Sequence, residues 1–362
     1  MRNLTTPPSS LCIVRLSAIG DTCHIVPIVR TLQREWPTTR LTWIIGRVEA
    51  RLMSMLPGVE FITIDKRAGW RSARALRLQL RSRRFDVLLH MQLSLRASLL
   101  SAVVPARVRL GFDRARAREL QWLFTNARIA PRRDEHVLDS FQGFLPALGI
   151  QPGPLHWDLP LPPDAQQYAA ELIPDQRPTL LISPCSSHPL RNWRPERYAA
   201  IAEYAAREHG MRVILCGGRS ADELAMAAAI EAAATERAAS AGLINQVGRD
   251  TLPQLLALLA RATVLLSPDS GPAHMATMVG TPVIGLYAAT RPQRCGPYLS
   301  QQWCVDRYPE AARRYCGRDA AELPWHAKIE RPGVMDLIGI DDVRERLNAL
   351  MRAAIGRACL LP

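Results

Sequence analysis

At 362 residues, with 48% hydrophobic content and no long uninterrupted apolar run, the chain is sized for two domains with separate cores and carries no membrane span. Its net charge of +13 sits in one half: residues 1–150 hold 24 Arg/Lys against 11 Asp/Glu, and the remainder holds 22 of each. The N-terminus lacks the apolar segment of a secretory signal, and the eight cysteines form no CxxC pair and no metal-ligand spacing, so a soluble cytoplasmic protein with reduced thiols is expected.

In chain order, the first strand is Leu11 to Leu16, followed by Ser17-Ala18-Ile19-Gly20-Asp21-Thr22 and a helix from about His24 to Trp36. Asp21 falls at the carboxyl end of a parallel strand, where open α/β sheets place their chemistry; capping the helix is the other use of such a residue. The loop is not GxGxxG, which removes the main support for a nicotinamide-binding oxidoreductase. Strands at Leu41–Ile45, Phe61–Ile64 and Phe85–His90 alternate with helices at Glu49–Met55, Trp70–Arg83 and Leu95–Val103, the pattern of a doubly wound parallel sheet. Arg71, Arg74, Arg77, Arg81 and Arg84 recur at helical steps, giving one basic face that is either solvated or set against an anionic surface or acceptor. Beyond the next strand, Arg114, Arg116, Arg118 and Glu119 cluster as candidates for phosphate or carboxylate contacts. His136 opens a further helix and reads as a cap or a core-edge donor rather than a catalyst.

Seven prolines between Pro152 and Pro178 mark a domain boundary and a stiff linker. The second domain opens with strand Thr179–Ser183. The loop behind it offers the hydroxyls of Ser186 and Ser187 and the donor fork of Arg191, an anion-binding arrangement. Strand Arg212–Cys216 runs into Gly217 and Gly218, with Glu223 in the following first turn, suited equally to a ribose diol and to the helix dipole. Thr263–Leu266, a break at Pro268-Asp269-Ser270-Gly271-Pro272, a short helix through Val279, a stop at Gly280 and a strand to Tyr287 complete the pattern. Asp269 or Ser270 is expected as N-cap with Pro272 in the first turn, so unpaired amides and the positive dipole end face the sheet's carboxyl edge. Gly271 leaves room for a phosphate, and His274 adds a donor. Past Tyr298 the regular pattern is lost until a final amphipathic helix capped by Asp341 or Asp342.

RLSAIGD (Arg15 to Asp21), GFDRARARE (Gly111 to Glu119), SSHPLRNW (Ser186 to Trp193), GGRSADE (Gly217 to Glu223) and SPDSGPAH (Ser267 to His274) together resemble the lipopolysaccharide heptosyltransferases, glycosyltransferase family 9. The resemblance implies a GT-B fold, two Rossmann-like domains facing each other across a cleft: residues 1–165 binding the acceptor, residues 175–335 binding the nucleotide sugar, and the final helix, 340–362, packing back on the first domain. It implies ADP-heptose as donor and the anionic inner core of lipid A as acceptor, on the cytoplasmic face of the inner membrane, with no metal, no cofactor and no nucleic acid. Asp21 matches the family's general base. Ser186, Ser187, Arg191, Glu223, Asp269, Ser270, Gly271, Pro272 and His274 match donor-binding positions, with Arg191 standing where many members have lysine. Arg71, Arg74, Arg114 and Arg118 are the expected acceptor contacts. His90-Met91-Gln92-Leu93 departs from the family's Asp-x-Gln-Gly, and 302–332 matches nothing recognisable. Another nucleotide-sugar donor or glycan acceptor, and a GT-B module without turnover, are the competing expectations.

Overall fold

The computed structural model describes residues 6–234 and 242–358, which divide into two compact units at Pro160 and Leu161. The first unit carries β1 (Ser10–Val14), β2 (Arg40–Gly46), β3 (Val59–Ile64), β4 (Phe85–His90), β5 (Ala106–Gly111) and β6 (Ala127–Arg128) in one parallel sheet ordered β3-β2-β1-β4-β5-β6. Leu11, Cys12, Ile13 and Val14 have no exposed surface, because helices cover both faces of the central strand. The order reverses between β1 and β4, so the loops after these two strands open a crevice at the carboxyl edge.

The helix behind β1 spans Ile19–Glu35, beginning earlier than the sequence suggests, and Asp21 therefore stands in its first turn. Pro27 inside this helix has no N–H for the carbonyl of Cys23. The indole Nε1 of Trp157 supplies that donor at 3.1 Å, which ties the proline-rich stretch down to the first unit.

The second unit repeats the plan with β7 (Thr179–Ile182), β8 (Arg212–Leu215), β9 (Leu243–Asn245), β10 (Val264–Pro268), β11 (Val283–Tyr287) and β12 (Val305–Asp306), ordered β12-β11-β10-β7-β8-β9 and parallel throughout. Its switch point lies between β7 and β10. Two parallel six-stranded sheets flanked by helices are the α/β architecture expected.

Two segments differ from expectation. The stretch read as a linker contains a helix, Pro163–Leu172, packed against helix Leu252–Arg261; its prolines sit at the cap and first position, where they start a helix rather than prevent one. The final helix, Ile340–Ala358, was expected on the first domain, but Val343, Leu347, Leu350 and Met351 are buried in the second unit's core with Tyr198 and Ala199. Its apolar face finds complementary surface there, on helix Pro195–His209.

The irregular segment after β11 is fastened by Arg291. Its guanidinium stacks on Tyr308 at 4.6 Å and Trp325 at 5.4 Å, and donates to the carbonyls of Ala320 and Leu323. Farther on, Ile329 N donates to Ala289 O at 2.8 Å, bringing Glu330 to the carboxyl edge of the second sheet.

Candidate active site

In the first unit the crevice between β1 and β4 is organised around Arg15 and Asp21. Arg15 Nη1 donates to Met91 O at 2.6 Å, its guanidinium lies 5.1 Å from the centre of the Phe141 ring, and Nη2 is bonded to Asp21 Oδ2. Ala18 N donates to that same carboxylate oxygen at 3.2 Å. The carboxylate is thus oriented from one side while 31% of the side chain stays open to solvent. Asp21 does cap its helix, as one reading had it, but that work uses one oxygen.

The loop that carries it is fixed from behind. Trp43 Nε1 donates to Arg15 O at 3.1 Å, Leu16 N to Gln92 Oε1 at 2.6 Å, and Gln92 Nε2 to Ser17 Oγ at 3.3 Å. Gln121, fully buried, gives its amide to the carbonyls of His90 and Gln92 and accepts from Phe112 N. Burial, with the charge of Asp21 adding, pushes the Cys23 thiol up, so the thiol two residues along stays protonated.

His90 ends β4 but has no access to the crevice. It is buried against Ser98 Oγ at 3.0 Å, and burial, followed by the charges of Arg109 and Arg15, holds its pKa down to about 3. A ring kept neutral in the fold but titrating at its ordinary value when unfolded makes the unfolded state the stronger proton binder between about pH 6.5 and 3. Stability, complete above that window, therefore falls on acidification. Chemical denaturation between pH 6.5 and 4.5 is expected to show a slope of up to about 1.4 kcal/mol per pH unit that flattens in His90→Asn.

The acceptor candidates divide. Arg71 and Arg74 are exposed on helix Trp70–Gln79, and Arg118 is exposed beyond β5. Arg114 is exposed too and stacks 5.2 Å from the Trp122 ring centre. Arg116, grouped with them by sequence, is committed elsewhere: it pairs with Asp113 and Glu135 and donates to Ala130 O. Glu119 likewise is taken up by Leu95 N at 2.6 Å. His136 accepts from Leu138 N at 3.0 Å and is the helix cap expected.

In the second unit the donor candidates line the carboxyl edge. Ser270 precedes the helix Gly271–Met278 in extended conformation, but its hydroxyl turns back to Ser267 Oγ at 2.6 Å and caps nothing. Neither does Asp269, whose Oδ2 accepts from Arg191 Nη1 at 3.2 Å. Ser270 thus holds the expected N-cap position without a side-chain cap, and the first-turn amides are left for another acceptor. Pro272 takes its expected place in the first turn, and His274 follows, buried. Gly280, with φ at +76°, stops the chain from continuing as helix.

Arg191 is buried between two carboxylates. Besides Asp269, it donates from Nε and Nη2 to Glu330 Oε1 at 2.9 and 2.6 Å. Burial opposes ionisation of Glu330, but the hydrogen bond and charge of Arg191, with His188 and Lys328, hold its pKa below the ordinary carboxylate range. Sequence reasoning missed Glu330, which comes from the segment without periodic signal. The Ser186 hydroxyl is engaged within its own loop, donating to His188 O at 3.0 Å and accepting from His188 N at 3.1 Å, whereas Ser187 is exposed. Glu223 completes a capping box with Ser220 and accepts from Gly218 N at 2.6 Å. A Cβ at Gly218 would come within 2.7 Å of that carboxylate, so a side chain there would push Glu223 out of its present position. Among the described residues, no group of three or more His, Cys, Asp or Glu is arranged to hold a metal ion.

Residues 73–326 match the family model described as Glycosyltransferase family 9 (heptosyltransferase). The chain is 40% identical over 346 residues, 96% of its length and 98% of the other, to the lipopolysaccharide core heptosyltransferase OpsX of Haemophilus influenzae. Among solved structures it is similar to a family 9 glycosyltransferase from Veillonella parvula, with TM-score 0.79 and 20% identity over 97% of this chain and all of that one. It is also similar to Escherichia coli heptosyltransferase WaaC with ADP, with TM-score 0.72 and 19% identity over 94% and 99%.

Proposed function

The chain belongs to glycosyltransferase family 9, and on that premise we propose that it moves a heptose from ADP-heptose to the anionic Kdo and heptose inner core of lipopolysaccharide, inverting the anomeric configuration. The protein is a glycosyltransferase of GT-B fold. The acceptor is lipid-anchored, so the work is done against the cytoplasmic face of the inner membrane.

In this reading Asp21 is the general base. With Oδ2 held by Arg15 and Ala18, Oδ1 accepts the proton of an acceptor hydroxyl as that oxygen bonds to the anomeric carbon. The bond from that carbon to the diphosphate oxygen breaks on the opposite face, and ADP leaves with the electron pair. Charge then builds on the diphosphate. The N–H groups of Gly271 and Ala273, with Arg191, Ser187 and His274, are the groups to stabilise it, and Glu223 with the Gly217-Gly218 loop serves the ribose. Arg71, Arg74, Arg114 and Arg118 take the acceptor's phosphates and carboxylates.

What carries the reading is one pairing of features: an oriented, half-open carboxylate at the first sheet's switch point and an uncapped helix start beside a buried arginine at the second's. The test is ADP release from ADP-heptose with and without a lipid A core acceptor. Acceptor-dependent release is expected. No thermal shift with ADP would overturn the donor assignment, and release from a different nucleotide sugar alone would replace the heptose.

A further inference from the structure

In the first unit, helices Trp70–Gln79 and Leu95–Ala102 lie on one face of the sheet, with Leu76, Ala97 and Leu100 buried in a shared core. Their outward sides carry large apolar residues among the arginines. Leu95 and Leu99, one turn apart, are 42% and 54% exposed, and Trp70, at the start of the first helix, is 69% exposed. The turn Gln121–Phe124 packs beside the second helix and adds Leu120 and Leu123, 52% and 58% exposed.

These pieces are tied together. Glu119 accepts from Leu95 N at 2.6 Å, and Arg96 Nη1 donates to Lys66 O at 3.1 Å, joining the turn and the loop before Trp70 to the start of the second helix. Leu120 is held at φ +60°, a left-handed conformation that a leucine adopts only at a cost, with its side chain half in water. Scattered exposed leucines are ordinary, whereas four on two joined elements form a patch. The same elements carry exposed guanidinium groups: Arg71 and Arg74 on the first helix, Arg96 on the second, and Arg114 ahead of the turn, 5.2 Å from the Trp122 ring centre.

We propose that this face docks on an anionic lipid bilayer, the leucines entering the acyl boundary and the arginines reaching the phosphates. Among the described residues no helix is long and apolar enough to cross a membrane, so the contact is peripheral. A second copy of the chain fits the face poorly, because a twofold interface would bring these arginines against their own copies. Helices that follow parallel strands begin at the sheet's carboxyl edge, the edge that carries Asp21, so docking turns the acceptor crevice toward the headgroups. The inference rests on the transferase reading only for the use of such docking.

The experiment is flotation of the full-length protein with vesicles of phosphatidylcholine, with and without phosphatidylglycerol, for wild type and Leu99→Glu/Leu123→Glu. Both positions are exposed, so thermal stability should not change. Wild type is expected to float only with the anionic vesicles and to be released by salt, and the double variant to partition about tenfold less or worse. Turnover on a deacylated, water-soluble core acceptor should be equal in both. Equal flotation, flotation of neither, or a change of oligomeric state in place of lost flotation would overturn the docking face. Loss of all turnover with the expected flotation pattern would instead sink the transferase reading and leave the docking face standing.

Discussion

Asp21→Asn is expected to lower kcat by about 10² to 10⁴ while leaving ADP affinity unchanged. The amide keeps the shape of the side chain, and Arg15 remains held by Met91 O and the Phe141 ring, so the loop is not released. What disappears is the basic oxygen facing solvent. Steady-state ADP release gives kcat and calorimetry gives the ADP dissociation constant. Turnover within a few-fold of wild type would remove Asp21 as the base, and weakened ADP binding would show that the carboxylate acts by another route.

Arg191→Ala is expected to have the other large effect, on both binding and stability. Removing the guanidinium leaves Asp269 and Glu330 together with no cation between them, in surroundings where Arg191 and Asp269 side chains are only 10% and 13% exposed. Breaking a largely buried pair by removing one partner costs about 3 kcal/mol or more, because the remaining charge is stranded. Loss of a group that stabilises a leaving diphosphate costs about a hundredfold in rate. Glu330→Ala should cost less on both counts, since Asp269 still neutralises the arginine. Denaturant melts and donor saturation curves on the two variants check this, and an Arg191→Ala protein as stable and active as wild type would refute it.

Much of this was legible in the chain. Alternating apolar runs and helical stretches announce the two parallel sheets, and Ser270 to Gly280 carries the punctuation of a short helix at a strand end. Other features follow from long-range contacts that no local pattern reports. Glu330 reaches Arg191 because Ile329 bonds to Ala289 forty residues earlier in sequence, inside a segment with no periodicity. Arg116 looks like its neighbours until Asp113 and Glu135 engage it. Ser270 is a capping residue by type, yet the hydroxyl of Ser267 draws it away. The final helix shows an apolar face, but which core receives it is decided by complementary surface elsewhere. The density of prolines before β7 suggests stiffness, yet two of them open a helix.

Both sheets share one strand order, with Asp21 and Arg191 placed behind β1 and β7, the innermost strands. Arg71 and Arg74 follow the outermost strand β3, while Arg114 and Arg118 follow β5, one strand in from the opposite border. On the proposed assignment, bond-making sits at the centre of each sheet and acceptor recognition toward the margins of the first. A lineage can exchange one glycan for another by editing marginal loops, and inherit the reaction intact.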